Sequence, residues 1–203
     1  MSALFDTFWH GFIQASWIEQ SATVLGLLGV WLATRQNLWN FPIGMVQVVL
    51  TAMVFAGQRL YADMSLQGVY FIALAYGWWC WSHPPRSQRD RLPVSRLAWT
   101  QLAGLVGLGL LATVGWGSLL SQVGDPMPWR DAFIAAFGVL SQWLEAHKKI
   151  EAWGGWIVVN ITGLTLYAAI GLYWFVILYA LYLVLSFVGM RAWWISYRRE
   201  VPT

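Results

Sequence analysis

The residues of this sequence best placed to recognise a small molecule are two indoles and an amide. In the stretch "WGGWIVVN", Trp153, Trp156 and Asn160 occupy relative positions 1, 4 and 8. The surrounding residues are apolar, and on a helix those spacings stack all three side chains on one face. An indole supplies a flat surface, and a primary amide supplies two donors and a carbonyl acceptor. In an apolar medium such an amide must face other helices or a wet cavity, because burial without partners is costly. Three other amides, Gln47, Gln67 and Gln142, lie in separate apolar segments, and Trp143 follows Gln142. Amides converging beside Trp and Tyr would form a neutral, flat-walled pocket for a heteroaromatic ring carrying hydroxyls. A phosphate fits poorly, since no Arg or Lys lies at that depth. The same amides could instead bridge helices, at about 1 kcal/mol each. Trp153, beside Glu151 and Lys149, could instead sit at the level of lipid headgroups.

What the sequence lacks narrows the chemistry further. Cys80 is the single cysteine, which excludes an intrachain disulfide and a thiolate metal site. His10, His83 and His147 form no ligand-spaced pair, so no metal and no other cofactor is expected. The phosphate-loop pattern GxxxxGK[ST] is absent, and no nucleophile, base and carboxylate converge in sequence, so an enzyme is not expected. Glu145 and Glu151, near Lys148 and Lys149, read as a solvated ion-pair cluster at a membrane edge, and Asp63 reads as surface. No ionisable group is then left at mid-membrane, which favours unpowered diffusion over ion coupling.

The elements that must position these residues are membrane helices. Of 203 residues, 59% are hydrophobic and 10% charged, against about 25% charged in soluble domains, so too little charge exists to coat a water-facing surface. Charge-free runs predict seven transmembrane helices at 17–34, 39–57, 64–82, 97–119, 131–147, 152–169 and 173–191, the last two divided near Gly171. The segment 1–16, rich in Phe and Trp without Lys or Arg, reads as an interfacial lead-in rather than a signal peptide. Residues 83–96 form a basic loop and 195–203 a basic tail. Ten Lys and Arg fall in the loops after spans one, three, five and seven, and only Arg59 and Arg130 fall on the other side. That asymmetry predicts an N-terminus outside and a cytoplasmic C-terminus, and it accounts for the net charge of +3 without a nucleic-acid partner.

The chain also matches itself at an offset of 112 residues: Gly26 with Gly138, Trp31 with Trp143, Tyr70 with Tyr182, Gly77 with Gly189 and Trp81 with Trp193. The predicted fold is therefore all-α, two parallel three-helix repeats (17–82 and 131–194) joined by a connecting helix and outer loop in 97–130. Transporters of that plan hold their substrate between the halves near the midplane.

Three blocks carry a family resemblance: "SWIE" at 16–19, "GMVQVVL" through "QRLYADMSLQGVYFIALAYGWWCW" at 44–81, and "EAHKKIEAWGGWIVVNI" at 145–161. With them the chain resembles the Pnu family of bacterial vitamin transporters, of the nicotinamide riboside-carrying, PnuC-like kind. The likeness covers about residues 16–194 and is weakest in span four. It implies a SWEET-like 3+1+3 plan in the bacterial inner membrane, and uptake of a vitamin B precursor by facilitated diffusion. A cytoplasmic kinase then traps the vitamin as its phosphate. It implies binding by Gln67, Trp153, Trp156 and Asn160, and a homotrimer. The chain departs from the family pattern at Gln47 and Leu74, where such sequences often carry Asn. The thiamine-carrying branch shares the pattern and is the alternative, with a non-transporting membrane assembly protein as a second one.

Overall fold

The computed structural model describes residues 13, 15–57, 59, 61–84, 92–125, 127–169, 171 and 173–200. Almost all of the lead-in 1–16, part of the basic loop (85–91) and the last three residues of the tail lie outside the described residues. Among those described there are seven helices: α1 Trp17–Thr34, α2 Asn40–Gly57, α3 Tyr61–Ser82, α4 Trp99–Gln122, α5 Pro128–Ala146, α6 Glu151–Ala169 and α7 Tyr173–Glu200. Local signals set their ends. Ser16 and Glu19 form a capping box on α1, with Ser16 N–H donating to Glu19 Oε2 at 2.7 Å, which gives "SWIE" a physical role. Pro128 opens α5, where its missing N–H costs nothing. Gly171 adopts φ +74° between α6 and α7, the left-handed turn that splits the long apolar run. The helix limits lie within three residues of those predicted, except that α7 continues to Glu200. Its final turn carries Arg198 and Arg199, which suit a helix C-terminus, and the first breaker is Pro202.

By length and composition α2, α4 and α7 are apolar enough to cross a membrane. The remaining four carry polar groups that lower their hydropathy, among them Asp63 and Gln67 in α3, Gln142 and Glu145 in α5, and Glu151 and Asn160 in α6. Their packing explains why. α1 packs on α2, α2 on α3, α3 on α5, α5 on α6, α6 on α7, and α7 back on α1, which closes a ring of six. α4 stands outside the ring and packs chiefly on α5. Gln67, Gln142, Glu145 and Asn160 face the inside of that ring, whereas Asp63 faces a hollow beside α4 and Glu151 turns to Arg96.

Contacts recur at the 112-residue offset. Trp81 Nε1 donates to the carbonyls of Glu145 and Ala146 at 3.3 and 3.1 Å, and Trp193 Nε1 donates to Ala33 at 3.0 Å. Each indole thereby satisfies last-turn carbonyls of α5 or α1, which have no partner within their own helix. The turns that follow are alike: Gln36 and Lys148 both have positive φ, 53° and 49°, and Lys148 Nζ donates to Gln36 Oε1 at 3.3 Å. Phe41 meets Trp81 edge-on at 4.9 Å, as Trp153 meets Trp193 at 5.5 Å, and the two α3 and α7 indoles meet at 5.9 Å. Gly77 lies against the Phe41 ring and Gly189 against Trp153, with no room for a Cβ at either position.

The described part of the basic loop straps this end. Ser95 pairs with the α5–α6 turn through Lys148 O and Ile150 N, and Arg96 pairs with Glu151 at 3.4 Å. The ion-pair cluster predicted for 145–151 is therefore absent. Glu151 turns to Arg96, Lys149 to Ser95 Oγ at 2.9 Å, and Lys148 is buried over the Trp81 ring at 4.4 Å. Glu145 turns inward.

Gly189→Val is expected to destabilise the protein by about 1–3 kcal/mol, since Trp153 cannot retreat from a close-packed aromatic cluster. Gly107→Ala on α4, where a Cβ meets nothing within 4 Å, should leave stability unchanged or slightly raised. Thermal unfolding in detergent, followed by loss of the monodisperse chromatographic peak, measures both.

Candidate functional site

The ring encloses a cavity of about 240 Å³. All four amides reach it: Gln47 from α2, Gln67 from α3, Gln142 from α5 and Asn160 from α6. Trp153 and Trp156 line it as well, so the one-face spacing on α6 is realised. Trp143 does not. It is 42% exposed and packs on His147 at 4.3 Å on the outer side of α5. Successive helical residues point about 100° apart, and with Gln142 and Glu145 turned into the cavity that step carries Trp143 to the outer side.

The placements differ in kind. Asn160, 5% exposed, donates through Nδ2 to Ser186 Oγ of α7 at 3.1 Å, and Ser186 Oγ donates to Tyr182 O at 2.8 Å. This is the helix bridge that a deep amide makes, and it fixes the amide plane. Gln47 Nε2 donates to Thr51 Oγ1 within its own helix at 3.0 Å. Gln142 is buried, and its Nε2 has no hydrogen-bond partner among the described residues; the same holds for Trp153 Nε1. Trp153 is 1% exposed, so it is a packed plate beside the cavity rather than an indole at the headgroups. Trp156 is half-buried and offers the free aromatic face.

Other lining residues escaped the sequence reading. Tyr70, Tyr179 and Tyr182 contribute rings, and Asn40 and Ser186 contribute polar atoms. The Tyr182 hydroxyl lies against Gly26 and the Tyr70 hydroxyl against Gly138, so these two repeat-matched pairs were the available signal. The principal correction concerns Glu145. It is 6% exposed, lines the cavity, and accepts a hydrogen bond from Trp156 Nε1 at 3.0 Å through Oε2. It shares a face with Gln142, three residues earlier, which was a legible clue. The cavity is thus not lined by neutral residue types alone. Glu145 is the one acidic residue among its described lining residues, and no Lys or Arg is among them.

A larger hollow, about 890 Å³, lies between α4 and the ring beside Asp63, Asp125 and Asp131. Its walls are mainly aliphatic and aromatic, and it lacks the amides and the buried unpaired donor that converge on the smaller cavity. The smaller one has the character of a solute site.

A closed ring of helices around a polar, aromatic-walled cavity defines a membrane transporter of small solutes. The chain belongs to the nicotinamide mononucleotide transporter family, whose model matches residues 16–195. It is 26% identical to the riboflavin/roseoflavin transporter RibM of Streptomyces davaonensis and 25% identical to the nicotinamide riboside transporter PnuC of Escherichia coli. Each match covers 91% of this chain and 87% of the relative. A crystal structure of the vitamin B3 transporter PnuC superposes with a TM-score of 0.76 at 24% identity, over 98% of this chain and 91% of that one, which shows the fold. As a member of this family the protein is a multi-pass protein of the bacterial inner membrane.

Two substitutions at the Glu145–Trp156 contact should act in opposite directions. Glu145→Gln keeps an acceptor for Trp156 Nε1 and removes a buried charge, so stability should hold or rise. Trp156→Phe strands the carboxylate and should cost about 1–3 kcal/mol. Midpoints of thermal unfolding in detergent distinguish the two.

Proposed function

We propose that the protein carries a vitamin B precursor, nicotinamide riboside in the first instance, into the cell by facilitated diffusion, and that a cytoplasmic kinase traps it as the phosphate. In this reading the chain crosses the membrane seven times with its N-terminus outside. Two parallel three-helix halves, α1–α3 and α5–α7, are joined by α4 in a SWEET-like plan, and the molecule assembles as a homotrimer. The reciprocal Trp81 and Trp193 bonds, which repeat at the 112-residue offset, support the two-half arrangement.

One observation carries the substrate class. Five amides, those of Asn40, Gln47, Gln67, Gln142 and Asn160, and the Trp156 ring converge on one cavity, with no Lys or Arg among its described lining residues. Gln47, Gln67, Gln142, Trp153, Trp156 and Asn160 are assigned to binding, with the ring on Trp156 and its carboxamide and hydroxyls on the amides. Gln142 Nε2 awaits an acceptor such as a carboxamide carbonyl. A phosphate finds no cation there, which fits carriage of the riboside and retention of its phosphate.

The second reading is thiamine, favoured by Leu74, which places an apolar wall on the cavity at a position where the family often carries Asn. Riboflavin, a substrate of the relative RibM, is a larger tricycle, and 240 Å³ is already below the usual range of about 300–1,000 Å³ for ligand pockets.

Purified protein in liposomes should equilibrate labelled nicotinamide riboside down its gradient with no ion gradient imposed. Trp156→Ala and Asn160→Ala should each slow entry at least tenfold, whereas Trp143→Ala, which faces outward, should transport as the parent does. Undiminished entry through both cavity variants would remove the site, and quenching of tryptophan emission by thiamine but not the riboside would select the second reading.

A further inference from the structure

We propose that Glu145 is the charge filter of this cavity: its carboxylate admits a flat ring bearing a fixed positive charge and disfavours a neutral ring of the same shape. The inference rests on the cavity's being the vitamin site, and it adds the electrostatic class of the ligand and the residue that sets it.

The first support is geometric. The carboxylate is buried, lines the cavity, and is held by a single hydrogen bond, from the same indole that offers its face to the ligand. A cation resting on Trp156 therefore lies beside Glu145 and above an electron-rich ring together, and both contacts strengthen away from water.

The second support is the surroundings. Trp81 Nε1 reaches only the backbone carbonyl of Glu145. Lys148, three residues on, lies over the Trp81 ring and donates to Gln36, and His147 bonds to Tyr76 and the Trp143 carbonyl on the outer side. Among the described residues no Lys, Arg or His lies within ion-pair distance of Glu145, and the ion pair present there is Arg96 with Glu151. A buried carboxylate without a cation is costly, by several kcal/mol in general.

The third support comes from the repeat. At the 112-residue offset the mate of Glu145 is Ala33, which is buried, ends an equivalent helix, precedes an equivalent positive-φ turn and accepts the same indole bond. The fold thus builds this corner once with alanine and once with glutamate. The carboxyl group is not needed for the corner, and in this proposal its ionised form is stabilised by a cationic ligand rather than neutralised by a proton. A pyridinium or thiazolium ring meets the requirement, and a flavin does not. The same charge repels a phosphate monoester, so the phosphorylated product is turned away from the cavity.

The test uses pairs of probes that differ in charge and hardly in shape: nicotinamide riboside against its neutral 1,4-dihydro form, and thiamine against its neutral thiophene isostere. Full-length protein in liposomes should carry the cation of the productive pair at least tenfold faster than the neutral partner. Glu145→Gln, which keeps the acceptor for Trp156, should bring the two rates within about threefold, and Glu145→Asp should retain the preference. Equal rates for cation and neutral partner in the parent protein, or an unchanged ratio in Glu145→Gln, would overturn the filter while leaving the transporter reading intact. If Glu145→Gln does not fold, the parent protein's ratio decides alone. Uptake of the neutral partner driven by a proton gradient and lost in Glu145→Gln would assign the carboxylate to a proton and overturn the filter as well. Failure of every probe to enter or bind would overturn the vitamin site and the filter together.

Discussion

Two indole N–H groups hold the architecture in register. Trp81, at the end of α3, caps α5, and Trp193, on α7, caps α1. A helix end away from water must find partners for its last carbonyls, and a neighbour's side chain supplies them here. Because one bond runs from α3 to α5 and the other from α7 to α1, these helices cannot part at this end without orphaning both indole donors and the Ala146 carbonyl; the Glu145 and Ala33 carbonyls also accept from the N–H groups of Lys148 and Gln36. The edge-on contacts of Phe41 with Trp81 and of Trp153 with Trp193 brace the same junction, each worth about 0.5–1.5 kcal/mol beyond simple burial. Gly77 and Gly189 let those rings approach. The position of Glu145 follows, since the carbonyl that Trp81 caps belongs to the residue whose carboxylate enters the cavity.

The positions that build this junction match at the 112-residue offset, and most of the positions that face the cavity, Tyr70 and Tyr182 apart, do not. Counting 112 residues back, Gln142 corresponds to Val30, Trp156 to Gly44, Asn160 to Val48 and Ser186 to Leu74. All eight line one cavity. At these four pairs the earlier segment presents small and aliphatic side chains and the later one an indole, two amides and a hydroxyl, while Asn40, Gln47, Gln67 and Tyr70 add polar groups from the earlier segment. The offset separates two demands. The junction needs matched packing, and the site needs polar groups whose burial does not favour folding unless they are partnered.

How much of this was legible depends on what each signal reports. Charge-free runs located the helices, because the cost of a charge in lipid falls on every span. The split at Gly171 was readable because a left-handed turn favours glycine. The face of α6 was readable because Trp153, Trp156 and Asn160 obey helical spacing. Trp143 was misassigned by adjacency, since being next to Gln142 in sequence puts it on another face. Glu145 was misassigned because sequence proximity to Lys148 and Lys149 looked like an ion pair, whereas the turn after Ala146 sends those two side chains to Trp81 and Ser95. Tyr70 and Tyr182 were visible only as a repeat match, and Tyr179, which corresponds to Gln67 at that offset, had no signal at all. Long-range capping by indoles leaves no local pattern at all.

The position of Glu145 on its helix sharpens the question of why a carboxylate is there. It occupies the last turn of α5, where the unpaired carbonyls leave partial negative charge, and an anion at that end is disfavoured by about 0.3–1 kcal/mol at exposed sites. Burial makes the conflict worse. The turn that follows does carry a cation, Lys148, which lies over the Trp81 face and donates to Gln36. A sequence that needed only stability would neutralise the pair or use alanine, as the other half does at residue 33. Residues that oppose local electrostatics in this way are characteristic of sites where the missing partner arrives from outside. In a cavity walled by an indole, tyrosines and amides, the partner that answers both the charge and the shape is a flat cation.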